Sequence, residues 1–228
     1  MGNQTAVLVL VDIAPDSFLW GLSRYVIGRF SLYNIPGLKF FKVLGSGFEG
    51  GFSTKPSLHK QGLFCLFDSE QHAKQFRENS SLVQSYLKHS REFFAVTLNA
   101  FSTRGSWANT QLDITATTPT SGPIASLTRA SIKPLKANAF WKNAQPAEVS
   151  INQSEGVLLT AGLGEAPYLR QATFTIWENE TALNAYAQQG AHLAAIKAAY
   201  GQHYFSESMF TRFTPSAMEG TWRGKHYG

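Results

Sequence analysis

Short runs of β-branched and aromatic residues bounded by Gly and Pro alternate along this chain with longer stretches whose apolar positions recur at helical spacing. In the N-terminal portion the pattern predicts strands over Ala6–Ile13, Lys39–Leu44, Gly62–Phe67 and Phe94–Phe101, with helices over Asp16–Arg29 and Ser69–Ser90. In the remainder it predicts strands over Ile124–Ile132, Val157–Gly162, Gln171–Trp177 and Met209–Phe213, with helices over Lys136–Lys142 and Glu180–Tyr200. Asp16 and Asn179 stand where helix N-caps belong, because a short polar side chain there can accept from a free N–H of the first turn.

The two portions repeat each other. Phe64 matches Phe174, Phe67 matches Trp177 and Asp68 matches Glu178 at one constant offset, which continues through Phe76 with Tyr186 and Val83 with Leu193. After a small gap Phe101 meets Phe213 and Trp107 meets Trp222, while Gly45-Ser46-Gly47 corresponds loosely to Gly162-Leu163-Gly164. Each portion runs strand, helix, strand, strand, helix, strand, the split βαβ order of ferredoxin-like folds. Such a sheet carries helices on one face only, so two of them can cover each other's bare faces. The expected fold is therefore α+β, with tandem duplicated ferredoxin-like halves of the dimeric α+β barrel type in one chain. Residues 1–110 form the first repeat and 111–228 the second, in one compact unit, joined by the Thr-rich stretch Ala108–Pro123.

Composition narrows the function classes. The 228 residues are 43% hydrophobic, 13% aromatic and 15% charged, enough apolar material for a sizeable core and incompatible with disorder. The 17 Phe suit an aromatic core and also a pocket for an apolar ligand. A net charge of +5 without any dense Lys/Arg run argues against nucleic acid and leaves a mild attraction to anionic lipid. Cys65, alone among Leu63, Phe64, Leu66 and Phe67, reads as a buried strand residue, which excludes an internal disulfide and fits a reducing cytoplasm. The apolar run Ala6–Val11 lacks a basic leader and reads as a strand, and no stretch approaches the roughly 18 apolar residues of a membrane span. A cytoplasmic protein is expected, at most peripheral to the inner membrane. The glycine run Gly45–Gly51 matches neither a Rossmann fingerprint nor a P-loop, and no nucleophile elbow or obvious acid pair is present.

Duplicated halves share a core, so chemistry is expected where they disagree. His192 falls opposite Leu82. On a helix it shares a stripe with Ile196 and Ala199, with Ala195 beside them and Lys197 pointing elsewhere. An imidazole among alanines would let a flat cofactor approach; equally, it would serve as a hydrogen-bonded core histidine. With no second His three or four residues away, a zinc or di-iron cage on this helix is disfavoured, whereas one axial imidazole is enough for haem. His59, His72, His89, His203 and His226 fall in loops or polar faces and are expected to be solvated. Arg129 alternates with Ala125, Leu127 and Ser131 on one strand face. It could donate to bound oxygen or a haem propionate, or pair with a carboxylate on an edge strand. Phe140, Trp141, Phe174 and Trp177 could line a cavity or simply pack the core.

Four phrases in order, spread along nearly the whole chain, carry a family resemblance. They are Pro36-Gly37-Leu38-Lys39-Phe40-Phe41-Lys42 with Gly45-Ser46-Gly47; Ser121 to Pro134 through Arg129; Gly164-Glu165-Ala166-Pro167 through Gln171–Trp177; and Ala191-His192 with Tyr204-Phe205 and Arg212-Phe213. In these the chain resembles the spheroidene monooxygenases of carotenoid biosynthesis, departing in loops at His203 and in the short tail Lys225–Gly228. The resemblance implies an iron-containing haem b monooxygenase that hydroxylates an acyclic carotenoid, or a similar long apolar substrate. Repeated hydroxylation at one carbon would give a geminal diol that loses water to a ketone. It implies His192 as the metal ligand on a haem-binding helix and Arg129 as a catalytic and cofactor-binding residue, with Ile196, Phe174, Trp177, Phe140 and Trp141 around the cofactor. Dioxygen and an external electron donor would be partners, since no flavin or nicotinamide motif is visible, together with peripheral contact to a membrane. Two alternatives stand beside this expectation: another haem enzyme on the same scaffold, such as a dehydratase or peroxidase-like oxidase, and a non-catalytic binder of haem or an apolar ligand.

Overall fold

The computed structural model describes residues 3–188 and 190–228. Strand β1 (Thr5–Ile13) leads through α1 (Phe18–Ser23) and a 3-10 segment (Ile27–Leu32) into β2 (Leu38–Gly47) and β3 (Pro56–Phe67). Helices α2 (Glu70–Asn79) and α3 (Ser81–Lys88) then precede β4 (Ser90–Gly105). After the connector the order recurs as β5 (Ile124–Ile132), α4 (Ala137–Asn152), β6 (Val157–Ala166), β7 (Arg170–Trp177), α5 (Glu180–Ala187), α6 (Gly190–Gly201) and β8 (Phe205–Trp222), with β9 (Lys225–Tyr227) appended.

All pairings are antiparallel, in the order β4-β1-β3-β2-β6-β7-β5-β8-β9, and β4 also pairs with β8. The first eight strands therefore close into a barrel built from two ferredoxin-like half-sheets. Its two seams are unequal. The β4–β8 seam runs from Phe94–Gly220 to Gly105–Met209, whereas β2 and β6 meet only at Gly45–Gly164 and Ser46–Leu163. At the short seam the Ser46 hydroxyl donates to the Gly162 carbonyl at 2.6 Å. Gly162 has to be glycine, because a Cβ there would lie 2.2 Å from the Gly51 carbonyl oxygen.

Alternation along each strand sends one set of side chains into the barrel and the other toward the helices. Leu8, Phe64, Leu66, Leu127, Phe174 and Phe213 fill the interior from both halves. On the outer face of the first half, Val7, Val9, Val11, Leu63 and Cys65 pack under Phe76 and Tyr86 of α2 and α3. Burial pushes the Cys65 thiol up, in keeping with a core residue.

Several expected helices change shape. The stretch Asp16–Arg29 yields only the six residues of α1 and looser turns, because Gly21, Gly28 and the β-branched pair Val26-Ile27 weaken a continuous helix. Asp16 caps nothing here; it lies in the 3-10 turn before α1. The stretch Ser69–Ser90 is two helices, because Ser80 turns extended and its hydroxyl accepts from the Leu82 N–H, capping α3. Glu180–Tyr200 is likewise split, with Gly190 at a φ of 58° opening α6, while Asn179 caps α5 as expected by accepting from the Ala182 N–H. Helix α4 extends ten residues past Lys142, carrying Pro146 within it. Of the five other histidines, His203 and His226 are exposed, but three have partners: His72 pairs with Asp68, and His59 and His89 pack half-buried against Phe18 and Trp20.

Strand β5 lies between β7 and β8, so Arg129 is not on an edge. It points into the barrel side, is 3% exposed, and joins carboxylates from two strands: Glu207 and, at 3.1 Å, Glu165. Glu165 also takes Lys42 at 2.8 Å and the Trp107 indole N–H at 2.7 Å. The network thus ties β2 and the connector to β5, β6 and β8 across the short seam. Burial alone would raise the Glu165 carboxyl, but hydrogen bonds from Lys42 and Trp107 and the charges of Lys42 and Arg129 outweigh it and hold it below its ordinary range. The folded chain consequently binds fewer protons here than the unfolded one. This contribution to stability is complete above the ordinary carboxylate value of 4.5 and is lost as pH falls through the lower folded value. Arg129→Ala should cost about 3–5 kcal/mol at pH 7 in urea denaturation, since it strands buried carboxylates. The cost should shrink below pH 4.5; a penalty independent of pH would contradict an ionised network.

Candidate functional site

The strand registers align the halves residue by residue. Val7 faces Cys65 across β1–β3 as Ser126 faces Thr175 across β5–β7, and Val9 faces Leu63 as Thr128 faces Thr173. On the face toward the helices, the valines, leucine and cysteine of the first half are thus replaced by serine and threonines in the second. Val9 to Thr128 and Cys65 to Thr175 keep their volume, whereas Val7 to Ser126 and Leu63 to Thr173 leave shorter side chains, and all four exchanges bring in a hydroxyl. A cavity of about 360 Å³ opens there, between α4 and α6 on one side and the outer faces of β5, β6, β7 and β8 on the other.

Its helical wall follows from spacing. Helix α6 presents His192, Ala195, Ile196 and Ala199 at i, i+3, i+4 and i+7, and α4 presents Phe140, Ala144, Ala147 and Ile151 at the same period. Alanines on both helices keep the backbone close to the open space. The His192 ring lies 4.5 Å from the Tyr186 ring, which in turn lies 5.2 Å from Trp177. The Tyr186 hydroxyl donates to the Ala147 carbonyl at 3.0 Å, bracing this column against α4. Burial pushes the His192 imidazole down to about 4, so it is neutral at pH 7. Among the described residues no side-chain hydrogen bond engages it.

The first half closes one side. The loop between β2 and β3 lays Gly51 against Gly162 and inserts Phe52, whose ring stacks on Trp141 at 4.9 Å. Glu148 of α4 lines the cavity beside this loop; burial raises its carboxyl, and the Phe52 N–H only partly offsets the rise. At the other side stands Arg212, held by Glu180 at 3.2 Å and Asn184 at 3.0 Å.

Of the residues singled out in the sequence, His192, Ile196, Phe140 and Trp177 meet in this cavity. Trp141 backs it through Phe52, with its indole donating to the Tyr168 carbonyl at 3.1 Å. Phe174 and Arg129 do not belong to it. Strand parity sends Thr173, Thr175 and Trp177 to the cavity face and Phe174 into the barrel, just as Ser126, Thr128 and Ala130 face the cavity and Arg129 the interior. Arg212 and Glu148 line the cavity without standing among the expected site residues, although Arg212 lies in the last of the four family phrases. The repeat could have exposed Arg212, which precedes Phe213 where Ala100 precedes Phe101; Glu148 has no counterpart on the short α1.

No protein-family model matches the chain. The spheroidene monooxygenase of Rubrivivax gelatinosus is 47% identical over 227 residues, covering 100% of this chain and 88% of that protein. The spheroidene monooxygenase of Rhodobacter capsulatus is 33% identical over 214 residues, covering 92% of this chain and 89% of its own. Among solved structures, an aldoxime dehydratase superposes with a TM-score of 0.65 at 8% identity over 98% of this chain and 85% of that one. An aldoxime dehydratase in complex with butyraldoxime gives 0.58 at 8% identity, over 93% and 79%. At such identity the likeness is one of fold.

If short side chains on the strand wall keep the cavity open, a large one placed there should obstruct it. Thr173→Phe puts a ring at a position whose hydroxyl has no side-chain partner among the described residues, while Thr128→Val exchanges a hydroxyl for a methyl at constant volume. Thr173→Phe should weaken uptake of an apolar fluorescent dye at least fivefold, whereas Thr128→Val should leave it nearly unchanged and shift thermal stability by less than about 1 kcal/mol. Unchanged dye uptake by Thr173→Phe would contradict a cavity bounded by this wall.

Proposed function

Because the chain belongs to the spheroidene monooxygenase family, we propose that it is a haem-dependent monooxygenase that hydroxylates an acyclic carotenoid or a similar long apolar substrate. Repeated hydroxylation at one carbon would carry the product to a ketone by loss of water. The observation that carries the cofactor assignment is a single neutral imidazole, without a hydrogen-bond partner among the described residues, aimed into an apolar cavity roofed by alanines.

The donor set fits a macrocycle. Among the described residues no three His, Cys, Asp or Glu side chains cluster to hold a bare metal ion. A haem brings four nitrogen donors of its own and needs one more from the protein. Haem b bound here would supply the oxidising chemistry on dioxygen, with electrons from an external donor.

The chain's residues would do the rest. His192 would hold the iron, its ring kept in place by Tyr186 and Trp177. Ala195 and Ala199 would let a flat group lie against α6, and Arg212 would offer a cation at the rim for a carboxylate. Phe140 and Ile196 would exclude water around the apolar substrate. Glu148 keeps its proton to higher pH than an ordinary carboxylate and would be a proton source within the cavity. No described helix is long and apolar enough to cross a membrane.

His192→Ala should lower haem occupancy at least tenfold in a haemin titration followed at the Soret band, and abolish turnover. Far-UV circular dichroism should remain unchanged. Full haem retention by that variant would overturn the assignment.

A further inference from the structure

The stretch between β1 and β2, which in the second half becomes the cavity-covering α4, has a different character in the first half. Its inner side is anchored: the Trp20 ring stacks on His89 at 4.3 Å and meets Tyr86 edge-on at 5.2 Å, and Leu32 is buried. Its outer side is apolar and open. Leu19 is 79% exposed, Val26 and Phe30 68%, Ile27 56% and Tyr33 69%. Five large apolar side chains within fifteen residues, all facing solvent from a segment pinned beneath, are not the scattered exposure normal on a protein surface.

The charges around them favour one kind of partner. No Asp or Glu occurs between Asp16 and Glu49, while Arg24, Arg29, Lys39 and Lys42 fall in that interval. Lys42 is engaged by Glu165 and Lys39 by Asp68, but among the described residues neither Arg24 nor Arg29 has a carboxylate within ion-pair distance. Arg24 lies over the Trp20 ring at 4.7 Å, and Arg29 is exposed among the apolar group. A second copy docking here through a two-fold axis would bring this face against itself, setting arginine against arginine with no carboxylate within Phe18–Tyr33 to pair with them. A surface with an apolar interior and anionic headgroups satisfies both features at once.

We propose that the segment Phe18–Tyr33 docks on an anionic lipid bilayer. Leu19, Val26, Ile27, Phe30 and Tyr33 enter the headgroup–acyl boundary, and Arg24 and Arg29 lie at the level of the lipid phosphates. The proposal rests on this surface alone and does not depend on the cofactor assigned to the cavity.

Co-sedimentation of the full chain with vesicles tests it, using phosphatidylcholine alone and phosphatidylcholine containing phosphatidylglycerol. The parent should bind the anionic vesicles at least tenfold more tightly than the neutral ones, and raised salt should weaken that preference. Leu19→Ser with Phe30→Ser should reduce partitioning at least tenfold on anionic vesicles. Arg24→Glu with Arg29→Glu should remove the preference for phosphatidylglycerol. All four positions lie outside the cavity, so dye uptake and thermal denaturation report that each variant is folded. Absence of binding by the parent would overturn the proposal, as would undiminished binding by the folded serine variant. So would a parent dimer in solution that the serine substitutions convert to monomer, because that would make a second copy the occupant.

Discussion

A barrel closed from two half-sheets imposes one constraint on everything built around it: its interior belongs to both halves and has to be filled by both. Leu8, Phe64 and Leu66 meet Leu127, Phe174 and Phe213 there, all fully or almost fully buried. Neither half can lose that face without opening the shared core. The layer between strands and helices is private to each half, and one copy can change it while the other keeps the fold. The first half retains Val7, Val9, Leu63 and Cys65 in that layer; the second carries Ser126, Thr128, Thr173 and Thr175 at the matching register.

Such a hollow is not slack packing. At roughly 24 cal/mol per Å³, a dry and sealed void of 360 Å³ would cost on the order of 9 kcal/mol, comparable with the whole stability of a domain. The fold tolerates it where filled structure surrounds it: the long β4–β8 seam, the solid first half and the Arg129 network spanning the short seam. The first half also enters the site directly through Gly51 and Phe52, at a closeness that only Gly162 permits. The cavity is thus a property of the duplicated chain, although every residue of its helical wall comes from the second copy. With His192 on that wall, the site proposed for a flat cofactor and an apolar substrate lies in the layer that one copy changed and the other kept.

The architecture was legible in the sequence because both of its signals are local. The strand and helix periods show within short windows, and the constant offset from Phe64–Phe174 to Val83–Leu193 announces the duplication. His192 was legible for the same reason: it stands opposite Leu82 in a helix whose neighbouring pairs, Phe76 with Tyr186 and Val83 with Leu193, keep an apolar or aromatic side chain. What escaped was parity. Arg129 and Phe174 are conspicuous residues on the right strands, but each lies one position from the cavity face, and one position on a strand is the opposite side of a sheet. The element order did not reveal which face is hollow. The hydroxyl residues at Ser126, Thr128 and Thr173 carried that information, visible only once the registers of the halves were set side by side. Helix breaks at Ser80 and before Gly190 were hidden by apolar spacing that continues across them.

The central claim is that the hollowed half houses one haem on His192. The absorption spectrum of the full chain, purified from cells supplied with haem, tests it most directly. The account predicts a Soret band at a stoichiometry near one haem per chain. A chain purified without haem, unable to bind added haemin yet able to oxidise its apolar substrate, would contradict it.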